Sequence, residues 1–191
     1  MRAAGYFVAG ALFATVFAAI PKAIAHLHPA IPPDHGSEHP TGQNRAHTHE
    51  EFAFTANGTM EQAAPLFGAD GERVWVDSWD PQFLFPRPGS DKQGMVFTID
   101  RHGSHAVWVN TEFDLKNGRM QYVYVVPSVM ASLITLRLAP SGDKTEVTVI
   151  YERTSLSMEA DDRVRQMAEA DREAGPKWEE AINRYLEKAK L

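Results

Sequence analysis

The stretch that decides the fold is residues 159–191, EADDRVRQMAEADREAGPKWEEAINRYLEKAKL. Its apolar and small residues recur every three or four positions, which places them on one face of a helix with the charged residues opposite. These residues are Val164, Met167, Ala168, Ala174, Trp178, Ala181, Ile182, Tyr185, Leu186 and Ala189. A long helix that follows a β-rich chain typically lies across the concave face of the sheet. The space between them can hold a small apolar ligand.

The amphipathic pattern is interrupted once, at Gly175-Pro176. A proline inside a helix removes a backbone hydrogen bond and clashes with the preceding turn. We therefore expect a break or kink near residue 174, with the part from Lys177 onward packed on the sheet.

Strand-like runs occupy most of the chain before this helix. The first covers residues 51–56, and six more lie near residues 82–86, 94–101, 104–114, 119–127, 130–139 and 143–154. Asn117-Gly118 is typical of a hairpin whose two central residues both have positive φ. Thr59 and Gln62 form a capping-box pattern, which predicts a short helix over residues 60–68 and a second turn near 72–75. The predicted fold is α+β, with a curved antiparallel seven-stranded sheet wrapped around the C-terminal helix and two short helices after the first strand.

Composition and charge exclude several classes of function. Of the 191 residues, 43% are hydrophobic and 23% are charged, which is enough to bury a core. The formal net charge is −6 and no basic stripe is present, so the sequence predicts no nucleic-acid partner. The chain has no cysteine, which excludes disulfides and thiol catalysis.

The N-terminus has the pattern of a targeting segment. Met1-Arg2 precedes an apolar run over residues 6–20, and Ala23-Ile24-Ala25 matches the small-x-small pattern that signal peptidase reads. We predict that residues 1–25 are a signal peptide or an N-terminal membrane anchor. The protein is then exported to the periplasm or secreted, or it is attached to the membrane through residues 6–20.

Residues 26–49 have the composition of a disordered linker rich in histidine and proline. The segment holds six of the eight histidines: His26, His28, His35, His39, His47 and His49. If cleavage follows Ala25, the mature chain begins His26-Leu27-His28. Its amine, two amides and third-position imidazole can then enclose Cu(II) or Ni(II) in a square plane of nitrogens. His26 and His28 are therefore candidate metal ligands, and a spacer with incidental histidines is the alternative.

Aromatic, glycine and proline positions form a diffuse pattern from residue 50 to residue 191. It comprises the first strand, the helix after Thr59, the stretch Val74-Trp75-x-x-x-Trp79-x-Pro81, and Gly175-x-x-Trp178 followed by Ile182, Tyr185 and Leu186. This pattern resembles the helix-grip superfamily, which includes START domains, Bet v 1-like proteins, and polyketide cyclases and dehydrases. The resemblance implies a START-like domain over residues 50–191 with an apolar cavity between sheet and long helix. Fold alone does not select among the tasks such proteins perform.

The predicted function is binding or transport of a hydrophobic or amphipathic small molecule, lipid-like or polyketide-like, in that cavity. The candidates to line or close it are Trp75, Trp108, Tyr122, Tyr124, Tyr151 and Trp178. The tyrosines could instead fill the core or face outward. Arg153 shares a strand face with Tyr151, and if that face points inward it can meet a ligand carboxylate. A solvated surface arginine is the alternative.

Catalysis is the rival interpretation. A cyclase- or dehydrase-type enzyme acting on an apolar substrate requires a polar group with a shifted pKa inside the cavity. The sequence offers four candidates, Glu112, Arg153, His102 and His105. Because no familiar catalytic motif is present, we assign no catalytic residues, predict no cofactor, and favour a binding protein over an enzyme.

Overall fold

The computed structural model describes residues 44–101 and 104–189. Its strands are β1 (His47–Ala56), β2 (Gln82–Phe85), β3 (Val96–Arg101), β4 (Ser104–Asp114), β5 (Arg119–Val126), β6 (Met130–Ser141) and β7 (Lys144–Ser155). Its α-helices are α1 (Met60–Ala63), α2 (Asp161–Arg172) and α3 (Ala174–Lys188). Short 3-10 helices cover Ala64–Phe67, Gly71–Val74, Leu115–Asn117 and Met158–Ala160. This order confirms the predicted α+β class and its helix-grip architecture.

All seven strands belong to one antiparallel sheet in the order β1-β7-β6-β5-β4-β3-β2. Strands β2 to β7 form a meander in which each strand pairs with the next, and the turns from β3 onward are short. Strand β1 completes the sheet by pairing with β7, from His47↔Thr154 to Ala56↔Thr145. The segment between β1 and β2 then returns to the inner face of the sheet, where Trp79 packs on Trp108 with ring centroids 5.6 Å apart.

Alternation along the strands assigns the two faces of the sheet. The inward side chains of the central strands β5 and β7 include Tyr122, Tyr124, Val147, Val149, Tyr151 and Arg153, all buried. The expectation that the tyrosines could face outward is therefore wrong, and so is the alternative of a solvated Arg153.

The break predicted in the C-terminal helix is confirmed. Helix α2 ends at Arg172 and α3 begins at Ala174, with Glu173 between them. Pro176 lies in the first turn of α3, where a missing N–H costs no helical hydrogen bond. Helix α3 thus starts three residues before the expected Lys177, and its Trp178, Ile182 and Leu186 are buried against the sheet.

The first strand begins earlier than the sequence indicates. The predicted linker extends to residue 49, whereas β1 starts at His47 and pairs with β7 from its first residue. Ala46 is also tied down, since its backbone N–H donates to Asp161 Oδ1 at 3.0 Å. The residues at 47–50 are polar, but a strand at the sheet edge needs only backbone partners on one side, so their composition hides the strand.

The hairpin at Asn117-Gly118 forms with a different turn from the one expected. Residues 115–117 make a 3-10 helix, and only Gly118 has positive φ, at 63°. The Asp114 carboxylate accepts from the Asn117 backbone N–H at 3.1 Å, which favours the longer turn. A Cβ at Gly118 would lie 2.2 Å from the Leu138 carbonyl oxygen, so glycine is required here by space as well as by φ.

Several N-terminal predictions lie outside the described residues. These are the signal peptide or anchor over residues 1–25, the linker up to residue 43, and the metal ligands His26 and His28. In the part of the chain that the structure does describe, none of the helices is long and apolar enough to cross a membrane.

Candidate functional site

An aromatic cluster fills the space between the sheet and helix α3. Trp178 of α3 is at its centre, with ring centroids 5.2 Å from Trp75 and 5.3 Å from Phe52. On the neighbouring strands, Trp108 stacks on Tyr124 at 4.2 Å. Such pairs add stability beyond the area they bury. All six aromatic residues predicted to line the cavity lie on this inner side, and each is at most 8% exposed.

The polar tips of three of these rings are fixed by one short segment of backbone. Trp75 Nε1 donates to the Leu66 carbonyl at 2.7 Å, and Trp79 Nε1 donates to the Ala69 carbonyl at 2.7 Å. The Tyr122 hydroxyl donates to the Phe67 carbonyl at 2.8 Å. These carbonyls lie at the end of a helix, where backbone acceptors lack helical partners. The rings are thereby held in place before any ligand arrives.

A small enclosed space remains inside the cluster, and we call it the aromatic enclosure. It is lined by Ala69, Glu72, Trp79, Phe97, Trp108, Tyr122, Ile134, Leu136, Tyr151 and Trp178. It offers ≈ 10 Å³ to the centre of a water-sized molecule, which is about the room that one water needs. The cavity implied by the fold is therefore nearly filled by its own side chains in this conformation.

Glu72 is the polar residue that sequence reasoning missed. It belongs to the 3-10 helix Gly71–Val74, which we call the Glu72 turn. Part of the residue reaches the surface, but its Oε2 atom is buried and has no hydrogen-bond partner among the described residues. Burial raises the pKa of Glu72 well above its ordinary value, and the charge of Asp91 raises it further. The carboxyl group is consequently a neutral acid in the empty protein over a range where exposed glutamates are ionised.

Local packing explains why the Glu72 turn points its carboxyl group inward. A Cβ at Gly71 would lie 1.9 Å from the Pro65 carbonyl oxygen, so only glycine allows the turn to pack this closely. Glu72, Trp75 and Trp79 are spaced as i, i+3 and i+7, which is the spacing of one helical face. This spacing was the available signal, because it groups an acidic residue with two tryptophans that are buried.

One further buried polar group accompanies Glu72. Trp178 Nε1 has no hydrogen-bond partner in the described structure. Burial raises the pKa of Tyr122 well above its ordinary value, with contributions from the charges of Glu72 and Asp91, while the nearby Asn110 amide lowers it. The enclosure therefore combines aromatic walls with polar atoms that the protein itself leaves unsatisfied.

Arg153 is inside the protein, but its donors are already engaged. Its guanidinium donates to both oxygens of Asp171, at 2.7 and 2.9 Å, and its Nη1 donates to the Tyr124 hydroxyl and to Ser132 Oγ. It also lies over the Tyr151 ring at 4.3 Å. Arg153 thus fastens α2 to the sheet, and this arrangement leaves it no ready pair of donors for a ligand carboxylate.

Two of the remaining acid–base candidates, Glu112 and His105, do not line the enclosure. Glu112 pairs with Arg119 at 2.9 Å, and the exposed His105 lies 2.6 Å from Asp100 Oδ1. His102 lies outside the described residues. Of the four groups proposed for catalysis, only Arg153 is shown inside, and it is paired.

The described residues contain no group of three or more His, Cys, Asp or Glu that could hold a metal ion. His47 and His49 are exposed on the outer face of β1, and His47 Nδ1 lies 2.9 Å from Thr154 Oγ1. Copper or nickel binding by His26 and His28 stays a prediction.

An open groove lies on the other side of Trp75. It has room of ≈ 210 Å³ between residues 73–77 and helix α3, and Ala181, Arg184, Tyr185 and Lys188 form its α3 side. Trp75 contributes to this groove and also touches Trp178 of the aromatic enclosure. Trp75 therefore separates an accessible surface site from the interior.

A curved antiparallel sheet gripping C-terminal helices, with short helices after the first strand, defines the helix-grip fold of START and Bet v 1-like proteins. Norcoclaurine synthase from Thalictrum flavum has this fold, with a TM-score of 0.58 at 10% identity over 78% of this chain and 100% of that one. A hypothetical protein from Helicobacter pylori gives 0.56 at 11% identity over 85% and 99%. Ara h 8.0201 gives 0.53 at 11% identity over 75% and 99%. The sequence matches no family model and no curated protein.

Proposed function

We propose that this protein reversibly binds a hydrophobic or amphipathic small molecule between the sheet and helix α3. One observation carries the proposal: the aromatic enclosure contains buried polar atoms, Glu72 Oε2 and Trp178 Nε1, that no described residue satisfies. Buried polar groups in folded proteins are nearly always paired, because an unpaired one costs about 1–3 kcal/mol. A ligand with a polar end and an apolar body supplies a hydrogen-bond partner for Glu72 Oε2 and contact with the rings.

The driving force is burial of apolar ligand surface, at roughly 25 cal/mol per Å² removed from water. A typical small-molecule site encloses about 300–1,000 Å³, far more than the ≈ 10 Å³ found here. Binding therefore requires the enclosure to open, and Trp75 is the natural gate because it touches both the open groove and Trp178. A protein of the same fold, norcoclaurine synthase, has been crystallised with dopamine and hydroxybenzaldehyde, which supports this use of the fold.

Native mass spectrometry of the protein from its own host is the direct test. We expect a small molecule that is retained under native conditions and released on denaturation. The same measurement gives the mature N-terminus, which tests the proposed export through residues 1–25, and any copper or nickel bound by the tail.

A cavity-enlarging variant provides the matched test in solution. All four tryptophans of the chain are buried between sheet and helices, so their fluorescence reports directly on ligand entry. Leu136 lines the enclosure, whereas Leu138 is equally inward on the same strand but does not. We expect Leu136→Ala to bind the neutral apolar probe N-phenyl-1-naphthylamine more tightly than wild type, and Leu138→Ala to bind it like wild type. Equal responses from both variants, together with no retained small molecule, would contradict the proposal.

A cyclase- or dehydrase-type enzyme is the second candidate, and Glu72 is the observation that favours it. A buried carboxyl group with a raised pKa inside an apolar enclosure has the character of a general acid or base. Turnover of a bound polyketide-like substrate, abolished by Glu72→Gln with binding retained, distinguishes this candidate from a carrier.

A further inference from the structure

The geometry of the aromatic enclosure points to the polar group of its ligand: we propose that Glu72 selects a primary amine, bound as its ammonium ion. This inference rests on the proposed function and adds the chemical class of the ligand. The carboxyl group of Glu72 lies among aromatic rings rather than among cations. Buried glutamates are usually paired, so one without a partner calls for a positively charged or donating group.

The described residues that line the enclosure supply no cation, since none of them is a lysine or arginine. The neighbouring Arg73 donates to Asp70 at 3.1 Å and to Asp80 at 2.7 Å, and Arg153 is held by Asp171. Both arginines are therefore committed elsewhere, and the counter-ion for Glu72 has to come from the ligand.

The walls of the enclosure favour a cation as well. Trp79, Trp108, Tyr122, Tyr151 and Trp178 surround the space with aromatic rings. A ring face attracts an ammonium group by its quadrupole, most strongly where water is excluded. Several rings combined with one carboxylate form the composition by which proteins recognise amines.

Charge argues against an anionic head group. A ligand carboxylate here would meet Glu72 and the field of the nearby Asp91, with no positive charge among the described residues that line the enclosure. The formal net charge of −6 on the whole chain acts in the same direction.

Binding of an ammonium ion is linked to ionisation of Glu72. The titratable groups that face it are Asp91, whose charge raises its pKa, and the phenols of Tyr122 and Tyr151, whose pKa values its own charge raises. Burial raises the pKa of the carboxyl group in the empty protein, so binding of the amine releases a proton at pH values between its ordinary pKa and the raised one. Affinity for the amine is therefore expected to rise with pH until the amine itself loses its proton.

The experiment compares three probes of equal chain length on the full chain: octylamine, octanol and octanoate, each followed by tryptophan fluorescence. We expect octylamine to bind about tenfold more tightly than octanol, and octanoate to bind least. Glu72→Gln should remove the preference for octylamine over octanol. The control Glu159→Gln makes the same change of charge at an exposed site and should behave like wild type.

The possible failures are distinguishable. If octanol binds and Glu72→Gln leaves octylamine binding unchanged, the site exists and the role of Glu72 is wrong. If octanoate binds as tightly as octylamine, the amine preference is wrong in the same way. If none of the three probes binds wild type, the proposed function fails and this inference fails with it.

Discussion

At the residue scale, the most consequential feature is the pair formed by Arg153 and Asp171. Both are buried. The contact of the guanidinium with Asp171 joins the sheet to helix α2, and its contacts with Tyr124 and Ser132 join β7 to the neighbouring strands β5 and β6. Charged groups taken out of water are stable only when their hydrogen bonds are satisfied. Arg153 therefore has a structural reason for its burial, whereas Glu72 has none in the protein alone.

Removing one member of this pair tests its structural role. Asp171→Ala leaves a buried guanidinium without its counter-ion, and we expect a loss of about 3–5 kcal/mol in the free energy of unfolding. Glu180→Ala breaks the exposed pair with Arg184 in helix α3 and should cost less than about 1 kcal/mol. Urea denaturation of the two variants measures both. Similar values for the two would mean that the buried pair does not fasten α2.

Glu72 gives a stability prediction with a definite sign. Because its pKa is higher in the folded protein than its ordinary value, the folded state binds more protons than the unfolded chain between those two pKa values. The contribution of this group to stability therefore falls as pH rises, by up to about 1.4 kcal/mol per pH unit. Denaturant titrations at several pH values should show that the free energy of unfolding of Glu72→Gln rises relative to that of wild type from about pH 5 upward. A difference independent of pH would show that Glu72 is solvated and ionised.

Arg153 was identified from the sequence, whereas Asp171 and Glu72 were not, and the difference has physical reasons. Alternation on β7 correctly grouped Arg153 with Tyr151. Its partner Asp171 shares the buried face of α2 with Val164 and Ala168, but the apolar pattern does not indicate what an acidic residue on that face contacts. Glu72 was hidden because a single acidic residue in a short turn normally faces water. Periodicity can place a residue on a buried face, but it does not show which atoms that residue contacts there.

At the scale of elements, the turns fix the shape of the inner face. The sequence correctly indicated a break at Gly175-Pro176 and a hairpin at Asn117-Gly118, because proline and glycine act through local backbone geometry. The type of the second turn was wrong, since it depends on the Asp114 side chain and on the approach of Leu138. Local signals therefore predict where an element ends better than how it turns.

Two glycines provide a matched test of the close approach of the Leu138 carbonyl to Gly118. Gly118 and Gly142 have nearly the same positive φ, 63° and 67°, but only Gly118 has a close neighbour in the way of a side chain. Gly142→Ala should cost about 1–2 kcal/mol from the backbone conformation alone. Gly118→Ala should cost about 1–3 kcal/mol more because of the Leu138 carbonyl. Equal losses in urea denaturation would show that the β6 backbone shifts without cost.

At the scale of the whole molecule, the described domain differs between its two ends in how well its buried polar groups are paired. The sheet and α2 are joined by a satisfied ion pair, while the space under α3 keeps polar atoms without partners. The fold could be predicted because a β meander and an amphipathic helix have few ways to bury their apolar faces. The site could not, because it depends on which of the buried groups stay unsatisfied.

The boundary between tail and domain provides the last prediction. The sequence predicts a linker up to residue 49, but Ala46 and His47 already bind the body: the Ser155 N–H donates to the Ala46 carbonyl at 2.9 Å, and β1 begins at His47. Deleting residues 26–43 should therefore leave the unfolding free energy and octylamine binding unchanged while removing any copper site formed by His26 and His28. Deleting residues 26–49 also removes the first part of β1 and uncovers the end of β7 beside Arg153 and Asp171. Copper titration of the full chain and of both deletions tests the metal site of the tail, and thermal unfolding tests the contribution of residues 44–49 to stability. Equal stability of the two deletions would place the start of the domain at residue 50.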